Sequence, residues 1–349
     1  EAVAVATEAG LDVRMITGDH AVTAKAIADD LGLRSGVTTG PEFAAMSDDE
    51  LASAVPDLHV FGRVTPQDKL RLVDMMQRDG LVVAMTGDAV NDAAALKKAD
   101  IGVAMGSGSE VTKQAARMIL TDDRFATLVH AVELGRDIYD KVRSYLRYQL
   151  TGLFGVLLLM LIATAFNINK GVALSPGMLL YIALFVAVWA VLAIMTDVAD
   201  PGLMQRPPRD PSVQIFNRTT GTRWLLIGLV TALVALVPLV WGPDEPKTDA
   251  ASISMTMAFG VAALGGVPMA LVQRRDPTPV WKGPFWPYCG WLAISAGLTW
   301  LAVELPLLQR WLDTKTLTGS QWMAVVGLAL VPAAVAELDK AWRRSRPQG

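Results

Sequence analysis

The pattern of hydrophobic and polar positions divides the chain into two different parts. After Arg147, long stretches without Asp, Glu, Lys or Arg recur along the sequence. A helix needs about 20 apolar residues to cross the hydrocarbon core of a bilayer, and six stretches reach that length. We therefore predict six membrane-spanning helices. They fall at residues 148–169, 171–196, 224–243, 250–273, 283–303 and 316–336.

Before Arg147, short apolar runs alternate with segments of helical spacing. Strands are predicted at residues 13–16, 59–61, 81–85 and 101–105, and helices at 21–31, 66–78 and 92–98. Thr65 precedes Pro66 with Asp68 three residues on, which is typical of a helix start. Alternating strands and helices predict a parallel sheet, and such sheets bind ligands at the carboxyl ends of their strands.

Composition and charge support the division into a soluble part and a membrane part. Hydrophobic residues make up 52% of the chain, against about 45–50% in soluble domains. Residues 1–140 hold 23 acidic and 13 basic side chains, whereas residues 141–349 hold 11 acidic and 18 basic ones. The lone Cys289 excludes a disulfide framework. Because no basic run is interleaved with aromatics, we expect no nucleic-acid partner.

Basic residues are unevenly distributed between the predicted spans. The loops after spans two, four and six hold eleven Lys and Arg, and the remaining loops hold four. The positive-inside rule then places the first group in the cytosol. We expect a multi-pass protein of the cell (plasma) membrane with both ends of the chain cytosolic.

Two Thr-Gly-Asp triplets, residues 17–19 and 86–88, follow predicted strands. A threonine hydroxyl and nearby backbone N–H groups can hold phosphate oxygens, and a glycine permits their close approach. Either triplet alone is equally typical of a simple turn before a helix.

Polar side chains near the second triplet suggest a metal. Asp88, Asn91 and Asp92 bring hard oxygen ligands to one strand end, and Mg²⁺ is bound through one or two carboxylates together with a phosphate. Lys69, in the helix after another strand, could balance the phosphate charge.

The order of these segments closely resembles P-type ion-pumping ATPases. Met85–Gly106 resembles the hinge signature of that family, Met15–Asp19 a phosphate motif and Arg63–Lys69 a lysine motif. The similarity covers almost the whole chain and is strongest to the calcium-pump-like (type II) branch. It continues at Asp122–Phe125, Gly135–Arg136, Tyr139, Arg147–Tyr148 and Met204–Arg209.

The resemblance implies a partial cytosolic α/β domain of the haloacid-dehalogenase-like (Rossmannoid) fold, followed by an all-α six-helix transmembrane domain. The implied boundaries are 1–124 for the carboxyl-terminal part of the phosphorylation domain, 125–147 for a linking helix, 148–342 for the transmembrane domain and 343–349 for a basic cytosolic tail. We expect residues 125–147 to run as one helix into the first span.

The resemblance also implies roles in phosphoryl transfer from ATP, with Mg²⁺ as cofactor. The catalytic residues would be Thr17, Gly18, Asp19, Lys69, Asn91 and Asp92; the phosphate of ATP would be held by Thr17, Gly18, Lys69 and Asn91; and Mg²⁺ would be held by Asp88 and Asp92. The logic is positioning and electrostatic stabilisation.

Some of the family pattern is missing from this sequence. No Asp-Lys-Thr-Gly-Thr occurs, so the phosphorylated aspartate of the family is absent. No stretch matches the actuator domain, the nucleotide-binding domain or the first four spans. We interpret the chain as the carboxyl-terminal portion of a longer pump, and expect that without this amino-terminal half it neither hydrolyses ATP nor pumps.

The positions that bind cations in the family are partly kept. Leu153, Val156 and Ala193 replace polar ligands, whereas Thr196 and Asp197 retain a Thr-Asp pair. These two are the possible contacts of a transported cation in the bilayer. Asp197 either lies within the membrane as such a contact or ends the span at its cytosolic side, and the sequence leaves both open.

Three hypotheses for function follow. The chain is part of a cation-translocating ATPase whose ion is not identified, or its parent is a degenerate P-type protein with a regulatory, structural or lipid-directed role. A phosphatase tethered to the membrane is the third. The set of phosphate-binding residues favours the first, and the apolar ligand positions favour the second.

Overall fold

The computed structural model describes residues 1–34, 36–243, 252–276, 278–282 and 286–345. The chain forms two compact units. The first comprises residues 1–137 and 200–213, and the second comprises residues 138–199 and 214–349. The chain therefore leaves the first unit, returns for a short segment, and leaves again.

The first unit is built from short strands and helices in alternation. Its elements are α1 (Ala2–Glu8), β1 (Met15–Ile16), α2 (Ala21–Asp30), β2 (Val37–Thr39), α3 (Gly40–Ala45), α4 (Asp48–Ala54), β3 (Val60–Gly62), α5 (Pro66–Arg78), β4 (Ala84–Gly87), α6 (Ala93–Lys98), β5 (Ile101–Met105), α7 (Glu110–Ala115) and β6 (Met118–Leu120).

The strands form two three-stranded parallel sheets, in the orders β1-β3-β2 and β4-β5-β6. The predicted parallel arrangement is confirmed, but β2 and β6 have no counterpart among the predicted strands. The prediction for β4 is three residues early at its start. Leu81 and Val82 are 48% and 62% exposed, because Leu81 closes the turn after α5 by donating to the carbonyl of Met76.

Helix α5 begins as its sequence predicts. Thr65 accepts a hydrogen bond from the Asp68 backbone, and the Asp68 carboxylate accepts from the Thr65 backbone and hydroxyl at 2.8 and 2.7 Å. This reciprocal pairing satisfies N–H groups that the first turn leaves free. One face of α5, including Leu72, packs with Phe43 and Phe61 in a buried cluster, which fixes the helix beside β3.

The segment 200–213 is tied to the first unit by one arginine. Arg136 donates hydrogen bonds to the carbonyls of Ala9 (2.7 Å), Leu203 (3.1 Å) and Arg206 (2.9 Å). Met204 is buried with Ala6 and Ala9. A guanidinium can supply several donors in fixed directions, so this one side chain joins three chain segments.

Helix α8 extends from Phe125 to Ala165 over 41 residues. It includes the whole segment 125–147 and residues 148–165 of the first predicted span, whose predicted end at residue 169 is four residues late. The expectation of one uninterrupted helix through this segment is confirmed.

The second unit is helical. After α8 its elements are α9 (Pro176–Tyr181), a π-helical segment (Ile182–Val186), α10 (Ala187–Met195), α11 (Arg218–Trp241), α12 (Ile253–Arg274), α13 (Trp286–Glu304), α14 (Pro306–Leu312) and α15 (Gly319–Arg344).

Five helical stretches in the described part of the chain are long and apolar enough to cross a membrane, and a sixth is counted if α13 and α14, bent by 83° to each other, form one span. The six predicted spans therefore correspond to helices, with different ends. The second begins at Pro176, since Asn169 and Lys170 adopt left-handed backbone angles before it. Residues 250–251, 283–285 and 346–349 of the predicted spans and tail lie outside the described residues.

A buried carboxylate joins three helices of the second unit. Asp276 accepts from Arg343 at 2.5 and 2.9 Å and lies 3.3 Å from Arg147. Burial alone would raise the pKa of Asp276, but the hydrogen bonds from Arg343 and the charge of Arg147 outweigh it and lower the pKa. The ionised form of Asp276 thus stabilises the unit above the unfolded pKa of this carboxyl, and this contribution is lost as the pH falls through its folded pKa.

We predict that Arg136→Ala lowers the free energy of unfolding of the first unit by about 2 kcal/mol, since a charged donor is removed from three backbone carbonyls at once. The measurement is thermal or denaturant unfolding of the purified protein. Arg143→Ala is the matched control, because Arg143 lies on the same helix and is exposed. Equal losses in the two variants would contradict the role given to Arg136.

Candidate functional site

The candidate site is a cavity of about 500 Å³ at the carboxyl ends of the strands of the first unit. Six of the seven predicted site residues line it, and the seventh, Asp19, lies beside it with an exposed side chain. The lining residues among the seven are Thr17, Gly18, Lys69, Asp88, Asn91 and Asp92. The two triplets and the lysine, distant in sequence, are therefore brought together.

An ion pair links the two sides of this cavity. The Lys69 ammonium donates to the Asp92 carboxylate at 2.5 Å, and the side chains are only 14% and 7% exposed. Lys69 follows the first turn of α5, and Asp92 ends a short 3₁₀ turn after β4. Removing one partner of a buried ion pair leaves an uncompensated charge, which is costly. Lys69 and Asp92 therefore hold each other's side chains in position.

Gly87 makes room for this carboxylate. A Cβ at position 87 would lie 2.6 Å from the Cβ of Asp92 and 2.9 Å from its Oδ2. Oδ2 also accepts a hydrogen bond from the Ala89 backbone at 3.3 Å. Both carboxylate oxygens of Asp92 therefore have partners within the protein, and a larger residue at position 87 would displace them.

The backbone around Asp88 is fixed by hydrogen bonds, whereas the side chain of Asp88 is exposed at the cavity. The Asp88 carbonyl accepts from the Ser109 backbone at 2.9 Å, and the buried Thr112 hydroxyl donates to the Ala89 carbonyl at 2.9 Å. Ser109 also caps α7. The sequence interpretation missed this support, although a serine before Glu110 is a recognisable helix start.

Thr17 is positioned by the neighbouring strand. Its backbone N–H donates to the Phe61 carbonyl at 2.9 Å, and its carbonyl accepts from Val64 at 3.2 Å. Its hydroxyl oxygen accepts from the Asp19 backbone at 3.1 Å, which leaves the hydroxyl proton for another acceptor. Asp19 therefore contributes through its backbone.

The oxygen donors at the cavity are few, which limits the kind of metal site that they can form. No cluster of three or more His, Cys, Asp or Glu suited to a metal ion occurs in the described part of the chain. Asp88 is the exposed carboxylate at the cavity, and Asp92 is paired with Lys69. Mg²⁺ typically takes one or two carboxylates and completes its shell with phosphate oxygens and water. The residues fit Mg²⁺ shared with a phosphate, and do not form an all-protein cage.

In the second unit, Asp197 lies just beyond the end of α10. Its carboxylate contacts Arg274 at 3.4 Å and Arg275 at 3.1 Å, and it accepts a hydrogen bond from the Tyr288 hydroxyl. Thr196 donates to the Leu192 carbonyl at 2.8 Å. Two guanidinium groups already compensate this buried carboxylate, an arrangement that agrees with a residue that ends the span.

Comparison with known proteins gives matches over both parts of the chain. A haloacid dehalogenase-like hydrolase family matches residues 1–100, a second family of that description matches residues 70–131, and the family described as cation transporting ATPase, C-terminus, matches residues 171–342. The first two cover residues 1–131 of the unit that holds the cavity, and the third covers most of the spans.

Individual relatives agree with these matches. A calcium-transporting ATPase of Bacillus subtilis is 35% identical over 95% of this chain, and a probable cation-transporting ATPase F of Mycobacterium tuberculosis is 36% identical over 99%. Calcium-transporting ATPase 1 of Lactococcus lactis is 33% identical over 97%. The chain spans 38 to 39% of the length of these relatives.

The α/β unit, the spanning helices and these relatives together define the class. The chain belongs to the P-type cation-transporting ATPases, and it is a multi-pass membrane protein. The resemblance inferred from the hinge, phosphate and lysine motifs is confirmed. Proteins of this family generally use Mg²⁺ and ATP.

We predict that Gly87→Ala displaces the Asp92 carboxylate and breaks its bond to Lys69, because no rotamer of alanine avoids the contact at 2.6 Å. Formation of the phosphorylated intermediate in the full-length protein should fall at least tenfold. Gly135→Ala is the control, since a Cβ there meets no atom within 4 Å. Unchanged phosphorylation in Gly87→Ala would show that Asp92 need not lie against position 87.

Proposed function

We propose that this chain supplies the phosphate- and Mg²⁺-binding region and the carboxyl-terminal spans of an ATP-driven ion pump. The observation that carries the proposal is the Lys69–Asp92 ion pair at a cavity also lined by Thr17 and Asp88. A lysine held by one carboxylate, with a second carboxylate exposed at the same cavity, is a set of charges that phosphoryl transfer can use.

In this proposal the Thr17 hydroxyl and the Gly18 backbone bind phosphoryl oxygens. The Lys69 ammonium, held by Asp92, approaches the same phosphate and offsets its negative charge. Asn91 provides an amide at the wall of the cavity. None of these groups forms a covalent bond, so their contribution is positioning and electrostatic stabilisation.

Asp88 is the direct Mg²⁺ ligand in this proposal, because its side chain is exposed at the cavity. Asp92 acts through Lys69 and the Ala89 backbone, which occupy its two oxygens. Mg²⁺, when bound, neutralises charge on the transferred phosphoryl group. ATP and the phosphorylated aspartate belong to the complete pump, whose amino-terminal half we propose as the partner of this region.

We further propose that the protein lies in the plasma membrane with the α/β unit and both ends of this chain in the cytosol. The excess of Lys and Arg in the loops after spans two, four and six supports this orientation. We propose that the domain boundaries of the chain are those expected from the resemblance. They are 1–124 for the phosphorylation domain, 125–147 for the linking helix, 148–342 for the spans and 343–349 for the tail.

A second candidate is a degenerate P-type protein that moves no cation. Leu153, Val156 and Ala193 offer no oxygen ligands, and Asp197 is compensated by Arg274 and Arg275. These observations concern the membrane unit alone. They do not argue against phosphoryl transfer in the first unit. They argue only against cation transport as the process that this transfer drives.

We predict that Lys69→Met reduces the rate of ATP hydrolysis by the full-length protein about 10²- to 10³-fold, as the loss of one electrostatic contact to a reacting group typically does. The measurement is phosphate release at saturating Mg²⁺ and ATP. Lys97→Met is the control, because Lys97 is an exposed lysine on α6. Equal rates in the two variants would refute the assignment of Lys69.

Cation dependence distinguishes the two candidates. We predict that ATP hydrolysis by the reconstituted full-length protein is stimulated by one specific cation. A rate that stays flat across Ca²⁺, Mn²⁺, Zn²⁺, Na⁺, K⁺ and pH, with Lys69→Met still inactive, would favour the degenerate protein and reject the cation pump.

A further inference from the structure

The second unit contains a cavity of about 400 Å³ among its spanning helices. Its walls come from α8, α9 with the π-helical segment, α11 and α12. The volume lies within the range of small-molecule pockets, about 300–1,000 Å³. Most of the lining residues are small or apolar, among them Gly152, Val156, Ala183, Val186, Gly265 and Met269.

Glycines and a helical irregularity keep this space open. A Cβ at Gly152 would meet no atom within 4 Å, whereas one at Gly266 would lie 2.8 Å from the Tyr148 hydroxyl. The π-helical segment Ile182–Val186 faces the cavity, and such segments are frequent at functional sites.

One buried polar group faces the cavity without a partner. Tyr148 is 8% exposed, and its hydroxyl forms no hydrogen bond with the described part of the chain. The Thr151 hydroxyl accepts from Gln273 at 3.4 Å, and the Thr231 hydroxyl donates to the Ile227 carbonyl at 3.0 Å. The Tyr148 hydroxyl and the proton of the Thr151 hydroxyl are therefore the donors left for an occupant.

The walls that this chain contributes do not suit a hard cation. Such ions take six or more oxygen ligands, usually including carboxylates, and no carboxylate lines this cavity. Leu153 and Val156 present only hydrocarbon. An apolar body with one hydrogen-bond acceptor matches what the walls offer.

The place of Tyr148 in the sequence indicates the source of the occupant. It directly follows Arg147 at the start of an uncharged stretch, and tyrosines are enriched where the hydrocarbon core meets the polar headgroups. Tyr148, Gly152, Val156 and Leu159 lie along one face of α8. At 1.5 Å per residue they extend about 16 Å into the membrane.

We propose that this cavity binds an acyl chain of a bilayer phospholipid, with the ester carbonyl of that lipid accepting a hydrogen bond from Tyr148. The chain lies along Gly152 and Val156 toward Leu159. This site does not depend on the phosphoryl chemistry of the first unit. A negative result in the lipid-labelling test therefore leaves the proposed function intact, and a negative result in the ATP hydrolysis test leaves the lipid site intact.

The test uses the full-length protein in phosphatidylcholine nanodiscs that contain a phosphatidylcholine with a diazirine on one acyl chain. After irradiation, labelled peptides are quantified by mass spectrometry. We expect label in residues 148–159. Gly152→Leu, which fills the space, should reduce it to background, and Tyr148→Phe should reduce it about two- to tenfold through loss of one hydrogen bond. Gly327→Leu, also in open space on a spanning helix, should leave it unchanged.

Other results overturn the proposal. Label spread evenly over exposed positions of other spanning helices, such as Leu301 and Leu330, would show ordinary bilayer contact. No label at residues 148–159 in the full-length protein would show that another segment fills the cavity. Normal labelling in folded Gly152→Leu and Tyr148→Phe would show that the lipid binds elsewhere on α8.

Discussion

The approach of the Asp92 carboxylate to Gly87 is the constraint on which the candidate site depends. Without a side chain at position 87, Asp92 can accept from the Ala89 backbone and from Lys69 at once. The bond to Lys69 then joins the end of β4 to the start of α5. A buried ion pair contributes little net stability, so its importance here lies in the geometry that it fixes.

This geometry separates the two carboxylates of the site. Asp92 is buried and paired, and Asp88 is exposed at the cavity on a backbone held by Ser109. In the proposed function these two acidic residues have different tasks, one to position a lysine and one to bind Mg²⁺. The separation follows from where the backbone places each side chain.

Much of the first unit could be predicted from sequence because its signals are local. Thr65 and Pro66 mark the start of α5, and the Thr-Gly-Asp triplets mark two strand ends. β2 and β6, with three residues each, are the two strands that were not predicted. The Lys69–Asp92 pair joins residues 23 positions apart, and the support from Thr112 is equally distant. Only the folded chain reveals such contacts.

In the second unit, apolar length predicted the spans, but their ends depend on other features. The left-handed backbone at Asn169 and Lys170 delays the second span, and the break before Pro306 bends the fifth. The sequence left two interpretations of Asp197 open. Arg274 and Arg275 compensate it from the end of α12, more than 70 positions away. Because of that distance, the pairing could not be predicted from sequence alone.

The most direct test is a structure of the full-length protein with Mg²⁺ and aluminium fluoride, a mimic of a phosphoryl group in transfer. The account predicts the fluoride within hydrogen-bond distance of the Thr17 hydroxyl and the Lys69 ammonium, with Mg²⁺ on the Asp88 carboxylate and Asp92 still bonded to Lys69. Fluoride bound away from Thr17 and Lys69, or Mg²⁺ bound without Asp88, would contradict it.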